Sequence, residues 1–271
     1  MAEQNDTSSP DTSSPARRPP PMPKVNPVGI GDLFEVLRQG LSDFARAPLF
    51  GLFFGGVYAL GGIFIALSLT VWDIPWMIYP VAIGFPLIGP FIAVGLYEVS
   101  RRLEAGKPLD WSGVLGVVWR QRQRELAWMA FVMLFVFWVW MYQVRLLIAI
   151  ILSRASFSSL DRFLDVIFTT PQGWTFLAVG HVVGAVLALV LFSITVVSIP
   201  LLLDRESDFV TAMITSVKTV STNPVPMLGW GVFVTLAVIV SSVPVFLGLI
   251  VTLPVLGHAT WHLYKKAVSP A

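Results

Sequence analysis

The chain has 271 residues, 55% of them hydrophobic and only 13% charged, with a mean hydropathy of +0.76 and a formal net charge of +2. Soluble domains carry about a quarter charged residues, so charge cannot cover this chain and lipid must be its solvent; the small net charge argues against a nucleic-acid surface. The absence of cysteine excludes disulfides, thiolate-bound zinc, iron–sulfur clusters and thiol nucleophiles.

Residues 1–27, MAEQNDTSSPDTSSPARRPPPMPKVNP, contain no apolar run, repeat TSSP and are rich in proline. This composition predicts a disordered cytoplasmic tail with polyproline II character, and no signal peptide. The stretch GDLFEVLRQGLSDFARAP then puts Leu33, Phe34, Leu37, Leu41 and Phe44 on one helical face and Asp32, Glu35, Arg38, Asp43 and Arg46 on the other. That pattern predicts a helix lying on the membrane surface.

Charge-free segments follow, each able to cross about 30 Å of hydrocarbon. They predict six spans, at 49–70, 76–98, 127–148, 175–203, 226–242 and 245–264. The last two come from one uncharged stretch, Thr219–Tyr264, which as a single helix would be about twice a bilayer in length. It must fold back, and Ser241–Pro244 is the natural turn. The amphipathic pattern recurs before the third span (Trp111, Val114, Leu115, Val118, Trp119) and before the fifth (Phe209, Met213, Ile214, Val217). Between the third and fourth spans, Phe157, Leu160, Phe163, Leu164 and Ile167 make the apolar face of a short helix on the outer surface.

Orientation follows from lysine and arginine. With both termini cytoplasmic, every basic residue except Arg145, Arg154 and Arg162 is inside, and these three fall at or beyond the outer end of the third span. Trp72, Trp76 and Trp174 then mark the outer interface and Trp111, Trp119, Trp128, Trp230 and Trp261 the inner one. The even spans share a proline before aliphatics (Pro86, Pro200, Pro254) in their cytoplasmic halves. Surface helix, span, span therefore reads as a threefold internal repeat over 32–107, 110–206 and 207–267, within a membrane domain of residues 28–267 and before a C-terminal tail of 268–271.

This order of elements, the stretch IPLLLDRESDFVTAMITSVKTVSTNPVPMLGWG and the ending LPVLGHATWHLYKK resemble the bacterial integral membrane family of domain of unknown function 2189. The resemblance spans nearly all of residues 28–267. It implies an all-α, polytopic inner-membrane bundle and carries no chemistry with it. Some members bear a cytochrome c oxidase subunit I label. The residues here reject that catalytic identity: such a subunit has far more spans and metal-binding histidines, with a His-Pro-Glu-Val-Tyr stretch at its copper, whereas this chain has three histidines and no such stretch.

The search for chemistry is short. HATWH has two histidines on one helical face, His258 and His262, but no glutamate beside the first. They are the only metal or haem candidates. His181 lies at a level about 12 Å away for straight helices in a ~30 Å core, so it cannot complete their site. The expectation is therefore an interfacial pair of anchors beside Trp261, Tyr264, Lys265 and Lys266, with His181 a hydrogen-bonder between helices. Two small-residue ridges, Gly51–Gly55–Ala59 and Gly180–Gly184–Ala188, predict close helix packing. Pro80, Gly84, Pro86, Gly89 and Pro90 break the second span and mark either a packing kink or a substrate site. The leading expectation is a non-enzymatic scaffold, accessory or assembly factor with no cofactor, whose partners are the bilayer and another membrane protein such as a respiratory complex. The alternative is a small-solute or lipid transporter, and the third reading is a metal- or haem-binding membrane protein.

Overall fold

The computed structural model describes residues 22–71, 78–121, 125–152 and 160–270, apart from the side chains of residues 69, 78–88, 121, 160 and 161. The fold is that of an all-α membrane protein. Its elements are β1 (Lys24–Val25), α1 (Ile30–Arg46), α2 (Pro48–Thr70), α3 (Ile78–Glu104), α4 (Trp111–Gln121), α5 (Glu125–Ile151), α6 (Leu160–Thr169), α7 (Pro171–Thr195), α8 (Ser198–Asp204), α9 (Phe209–Thr222), α10 (Pro224–Ser242), α11 (Leu249–Ala267) and β2 (Val268–Ser269).

Among the described residues, four segments are long and apolar enough to cross a membrane: Pro48–Ser68, Glu125–Ile151, Pro171–Asp204 and Pro224–Ser242. They fall on the first, third, fourth and fifth expected spans. Helices α3 and α11 occupy the places of the second and sixth. Pro200 has no N–H to return to Val196, and the chain breaks there into α7 and α8, the freed Val197 N–H going to Ser216 Oγ at 3.1 Å. The fold-back between α10 and α11 runs through residues 243–248, just past the anticipated turn. Val245 (φ 51°) and Phe246 (φ 64°) take left-handed backbone there, a costly conformation for a β-branched residue. The Phe246 ring fills the notch at Gly62 of α2, which holds the turn against the bundle.

Helix α11 is the central post, packed against α1, α2, α3, α8 and α10. Missing side chains let it approach so closely. A Cβ on Gly40 of α1 would lie 2.6 Å from the Ala259 nitrogen and the Val255 oxygen, and one on Gly55 of α2 would lie 2.5 Å from the Ile250 oxygen. The first ridge, Gly51–Gly55–Ala59, is thus a close-packing surface against α11. The second is looser: Gly180 and Gly184 meet Leu147 and Trp140 of α5 only at ordinary van der Waals distance.

The structure shows which face of each expected surface helix packs on the rest of the chain. In α1 the row Val36, Gly40, Asp43 is buried, while Phe34 and Leu41 remain exposed. In α4, Val114 and Val117 point inward and Trp111, Leu115 and Trp119 outward. In α9, Ala212, Thr215, Ser216 and Thr219 are buried and Val210, Ile214 and Val217 exposed. The inward row thus holds small or polar residues in α1 and α9 and valines in α4, and each helix leaves apolar side chains exposed. Helix α6 covers only part of the stretch expected as an outer surface helix, burying Val166 and Ile167, and Phe157 lies outside the described residues.

The tail boundary also moves. Residues 22–27, read from sequence as part of the disordered tail, belong to the fold, and so do Val268 and Ser269 of the expected C-terminal tail. Lys24 and Val25 pair antiparallel with Ser269 and Val268. Asn26 N–H donates to the Ala267 oxygen at 2.8 Å, and Val28 N–H to Asn223 Oδ1 at 2.8 Å. Residues 1–21 lie outside the described residues.

Adjacent glycines of α2 supply a test. Gly55→Ala forces backbone apart and should destabilise the protein by about 1–3 kcal/mol. Gly56→Ala meets nothing within 4 Å and should be neutral or slightly stabilising. Thermal unfolding of the two variants in one detergent checks this, and equal midpoints would refute the close approach of α2 and α11.

Candidate functional site

The polar residues of the bundle gather where α1, α3 and α11 meet. Asp43 comes from the last turn of α1, Ser100 and Glu104 lie one turn apart near the end of α3, and His258 and His262 lie one turn apart on α11. Asp43, Ser100 and His258 are enclosed by protein and His262 nearly so. Ser100 Oγ donates to Asp43 Oδ2 at 2.7 Å, and His262 Nε2 donates to the same oxygen at 2.8 Å. On the other side of its ring, His262 Nδ1 faces Glu104 Oε1 at 3.2 Å. Ionised carboxylates only accept, so His262 is an imidazolium hydrogen-bonded to Asp43 and ion-paired with Glu104, clamped between α1 and α3.

The tautomer of His258 follows from the same accounting. The single hydroxyl proton of Ser100 goes to Asp43, so the 2.8 Å contact between Ser100 Oγ and His258 Nδ1 needs its proton from the ring. Nδ1 is therefore the protonated nitrogen, and Nε2 is buried. Burial alone would raise the Asp43 pKa; the hydrogen bonds from His262 and Ser100 and the charge of His262 outweigh it and hold the carboxyl below its ordinary value.

A second tier surrounds this cluster. Glu98, buried on α3, takes Arg101 at 2.6 Å and Arg102 at 2.8 Å, the local pairing its spacing suggests. Arg102 continues to Asp110 Oδ1 at 2.8 Å, and Asp110 in turn accepts the Gly113 N–H at the start of α4. Lys266 bridges Asp32 at 2.9 Å and Glu35 at 2.7 Å on α1. Tyr264 donates to Asp204 at the end of α8, and Arg205 reaches the carbonyls of Val268 and Ser269. One end of the bundle is thereby cross-linked through side chains of α1, α3, α8 and α11.

His258 and His262 are thus brought together with carboxylates and a hydroxyl, and neither is an interfacial anchor. Trp261 and Tyr264 beside them are fully buried, as is Trp230, so of the five tryptophans assigned to the inner belt only Trp111, Trp119 and Trp128 face outward. Among the described residues His181 joins no helix to another; its exposed ring bonds the Leu177 carbonyl of its own helix at 2.7 Å. Among the described residues no three His, Asp or Glu side chains form a group able to hold a metal. Nor does the serine resemble an activated nucleophile: its proton points at Asp43, and Ser100 lines none of the cavities described below.

Of the residues expected to break the second span, Pro80, Gly84 and Pro86 have side chains outside the described residues, although the backbone is helical through them. Pro90 is buried. Gly89 borders two apolar cavities, about 170 Å³ among α2, α3, α10 and α11, and about 330 Å³ among α2, α3, α5 and α7, and Tyr58 lines both. Sequence reasoning missed Asp43, Ser100 and Glu104 as site residues. The available signal was the row Val36, Gly40, Asp43 at helical spacing, in which a glycine flanked by valine and a carboxylate marks a packed face.

A family model described as predicted integral membrane protein (DUF2189) matches residues 78–204, a shorter stretch than the resemblance read from the sequence. No curated protein and no solved structure matches the chain.

Removing the charge of Asp43 tests the site. Asp43→Asn leaves a clamped imidazolium facing a neutral amide and should cost about 3–5 kcal/mol, the usual penalty for breaking a buried pair. The Asp43 carboxyl titrates below its ordinary value when folded, so its contribution is fully present above the ordinary carboxylate range and is lost as pH falls through the lowered value. Stability measured against pH should therefore lose part of its acid limb in Asp43→Asn. An unchanged limb and midpoint would show that the carboxylate carries no such load.

Proposed function

We propose that this chain is a six-span protein of the bacterial inner membrane, with both termini cytoplasmic, acting as a non-enzymatic scaffold or accessory subunit for another membrane protein such as a respiratory complex. The observation that carries this reading is α5. No residue in the most apolar window of this 27-residue helix is buried, whereas the corresponding windows of the other three crossing segments are partly covered. The protein holds a crossing helix at its margin with its broad aromatic face uncovered. At the other extreme, the polar side chains at the junction of α1, α3 and α11 are engaged with one another inside the fold. A closed interior and an open flank suit a protein that presents a surface.

Several features support the topology. The β1–β2 pair sets the two described ends side by side, which requires an even number of crossings. The polar tier described above lies at that same end, the end the basic residues assign to the cytoplasm. The repeat has backbone support in its first and third units. Ala47 (φ −135°, ψ 53°) and Asn223 (φ −123°, ψ 55°) each close a surface helix and open a crossing one with proline in its first turn. The corresponding junction of the second unit, residues 122–124, lies outside the described residues.

The cavities at Gly89 and Tyr58 favour a second reading, a lipid-handling transporter, because their linings are almost wholly apolar. Thermal stabilisation of the isolated protein by one lipid class and not others would move the balance that way.

Extraction in a mild detergent, followed by native mass spectrometry, tests the scaffold reading. One protein partner should co-purify in fixed stoichiometry. A chain that is always alone, across several gentle detergents and lipid nanodiscs, would refute it. Reporter fusions after residues 206 and 270 should report cytoplasm and one at residue 165 the outside; an outside signal at 270 would break the six-span count.

A further inference from the structure

The turn between α10 and α11 stops well short of the outer ends of its neighbours. Phe246, near its tip, sits at the level of Gly62 of α2, and α2 runs on for eight residues to Thr70, about 12 Å at 1.5 Å per residue. Helix α3 agrees. Its Leu96 meets Gly257 of α11; from that level α3 runs about 27 Å outward to Ile78, whereas α11 runs about 12 Å to Leu249 before the turn. On the other side, Phe192 of α7 lies against Gly231 of α10. From there α7 extends about 31 Å to Pro171 and α10 about 16 Å to Ser242. Three helices thus overshoot the turn by about 12–15 Å, close to half of a ~30 Å hydrocarbon core.

The turn itself suits lipid. No Asp, Glu, Lys or Arg stands between Lys218 and Lys265. Val243, Pro244, Val245 and Leu247 are exposed at the tip, and none of these side chains can hydrogen-bond. The backbone keeps its donors to itself. The N–H groups of Val243, Val245, Phe246, Leu247, Leu249 and Ile250 each bond a carbonyl between Val240 and Leu247, and Pro244 has no N–H to satisfy. The hydroxyls are closed too: Ser241 Oγ pairs with Thr252 Oγ1 at 2.6 Å, and Ser242 Oγ donates to the Val238 carbonyl at 2.8 Å. A loop in water needs no such closure, whereas hydrocarbon penalises every unmet backbone group. The left-handed backbone at Val245 and Phe246 reverses the chain while these bonds are made.

We propose that α10 and α11 form a re-entrant hairpin whose turn, residues 243–248, lies within the outer leaflet, its exposed valines and leucine covered by lipid acyl chains. This rests on the topology proposed above, keeps both described ends on the cytoplasmic side, and amends only the last hairpin, whose turn does not reach the water outside. Water standing over the turn fits less well, because Ile63–Thr70, the part of α2 that overshoots it, is uncharged.

The chain has no cysteine, so single cysteines in the full-length protein report position directly. An impermeant maleimide applied to spheroplasts should label Thr169→Cys, exposed on α6, and leave Lys107→Cys, exposed after α3, untouched until the membrane is opened. Val245→Cys and Leu247→Cys should stay unlabelled on both occasions and react only in denaturing detergent. A nitroxide attached through Val245→Cys should, in lipid nanodiscs, be relaxed by oxygen and not by a water-soluble nickel chelate, whereas one attached through Thr169→Cys responds to the chelate. If Val245→Cys does not fold, Val243→Cys, at the most exposed position of the turn, carries both measurements. Labelling of either turn variant from either side, or chelate relaxation equal to that at position 169, would overturn this inference and leave the proposed topology standing. Labelling of Lys107→Cys in sealed spheroplasts, or of Thr169→Cys only after opening, would refute that topology and this inference with it.

Discussion

A carboxylate enclosed by protein inside a membrane domain must be matched by donors, and Asp43 is enclosed. Most of the tertiary arrangement follows from that need. One oxygen gathers a hydroxyl from α3 and an imidazolium from α11, so α1 cannot drift along the membrane surface as an independent amphipathic helix. Gly40, one turn earlier on α1, permits the close approach that brings the carboxylate within reach. Lys266, one turn beyond His262, closes the contact on Asp32 and Glu35. With α11 held, Val268 and Ser269 fall beside Lys24 and Val25, and the chain's two described ends meet.

Much of this was legible from the sequence because lipid imposes a simple rule. Charge-free segments of sufficient length marked the crossing helices, and their limits hold to within a few residues at Pro48, Ser242 and Ile151. The ridge Gly51–Gly55–Ala59 announced a close contact, and α11 is what it meets. Periodicity defines two faces of a helix but not the neighbour of each. For α1 the charged face was assigned to water, although Asp43 shares a row with Val36 and Gly40 and turns inward with them. The histidine spacing showed that His258 and His262 share a face, and their place near the end of an apolar stretch suggested the membrane boundary. Only the fold reveals that the face points at Ser100 and Asp43. The tail boundary was hidden for a related reason: proline-rich, polar composition cannot foresee a two-residue strand pairing with a segment some 240 positions away.

The closed junction and the open flank belong to one design. The side-chain bridges among α1, α3, α8 and α11 stiffen one end of the bundle, and the tight glycine contacts stiffen its middle. Helix α5 packs on α3 and α7 and, through its buried first turns, on α4, α8 and α9, while its most apolar stretch is uncovered. Under the scaffold role we propose, a frame that holds one aromatic helix outward would present a surface without ordering it anew at each encounter, which lowers the entropic cost of association.

The central claim is that the polar cluster is closed around Asp43. Because the chain has three histidines, solid-state NMR of the ¹⁵N-histidine-labelled protein in lipid addresses it with few signals to assign. The structure requires one neutral ring protonated at Nδ1, for His258, and one ring protonated at both nitrogens and dipolar-coupled to carboxylate carbons, for His262, with both patterns lost in Asp43→Asn. Two rings that exchange freely with water and show no carboxylate coupling would mean that α1 does not seat on α11.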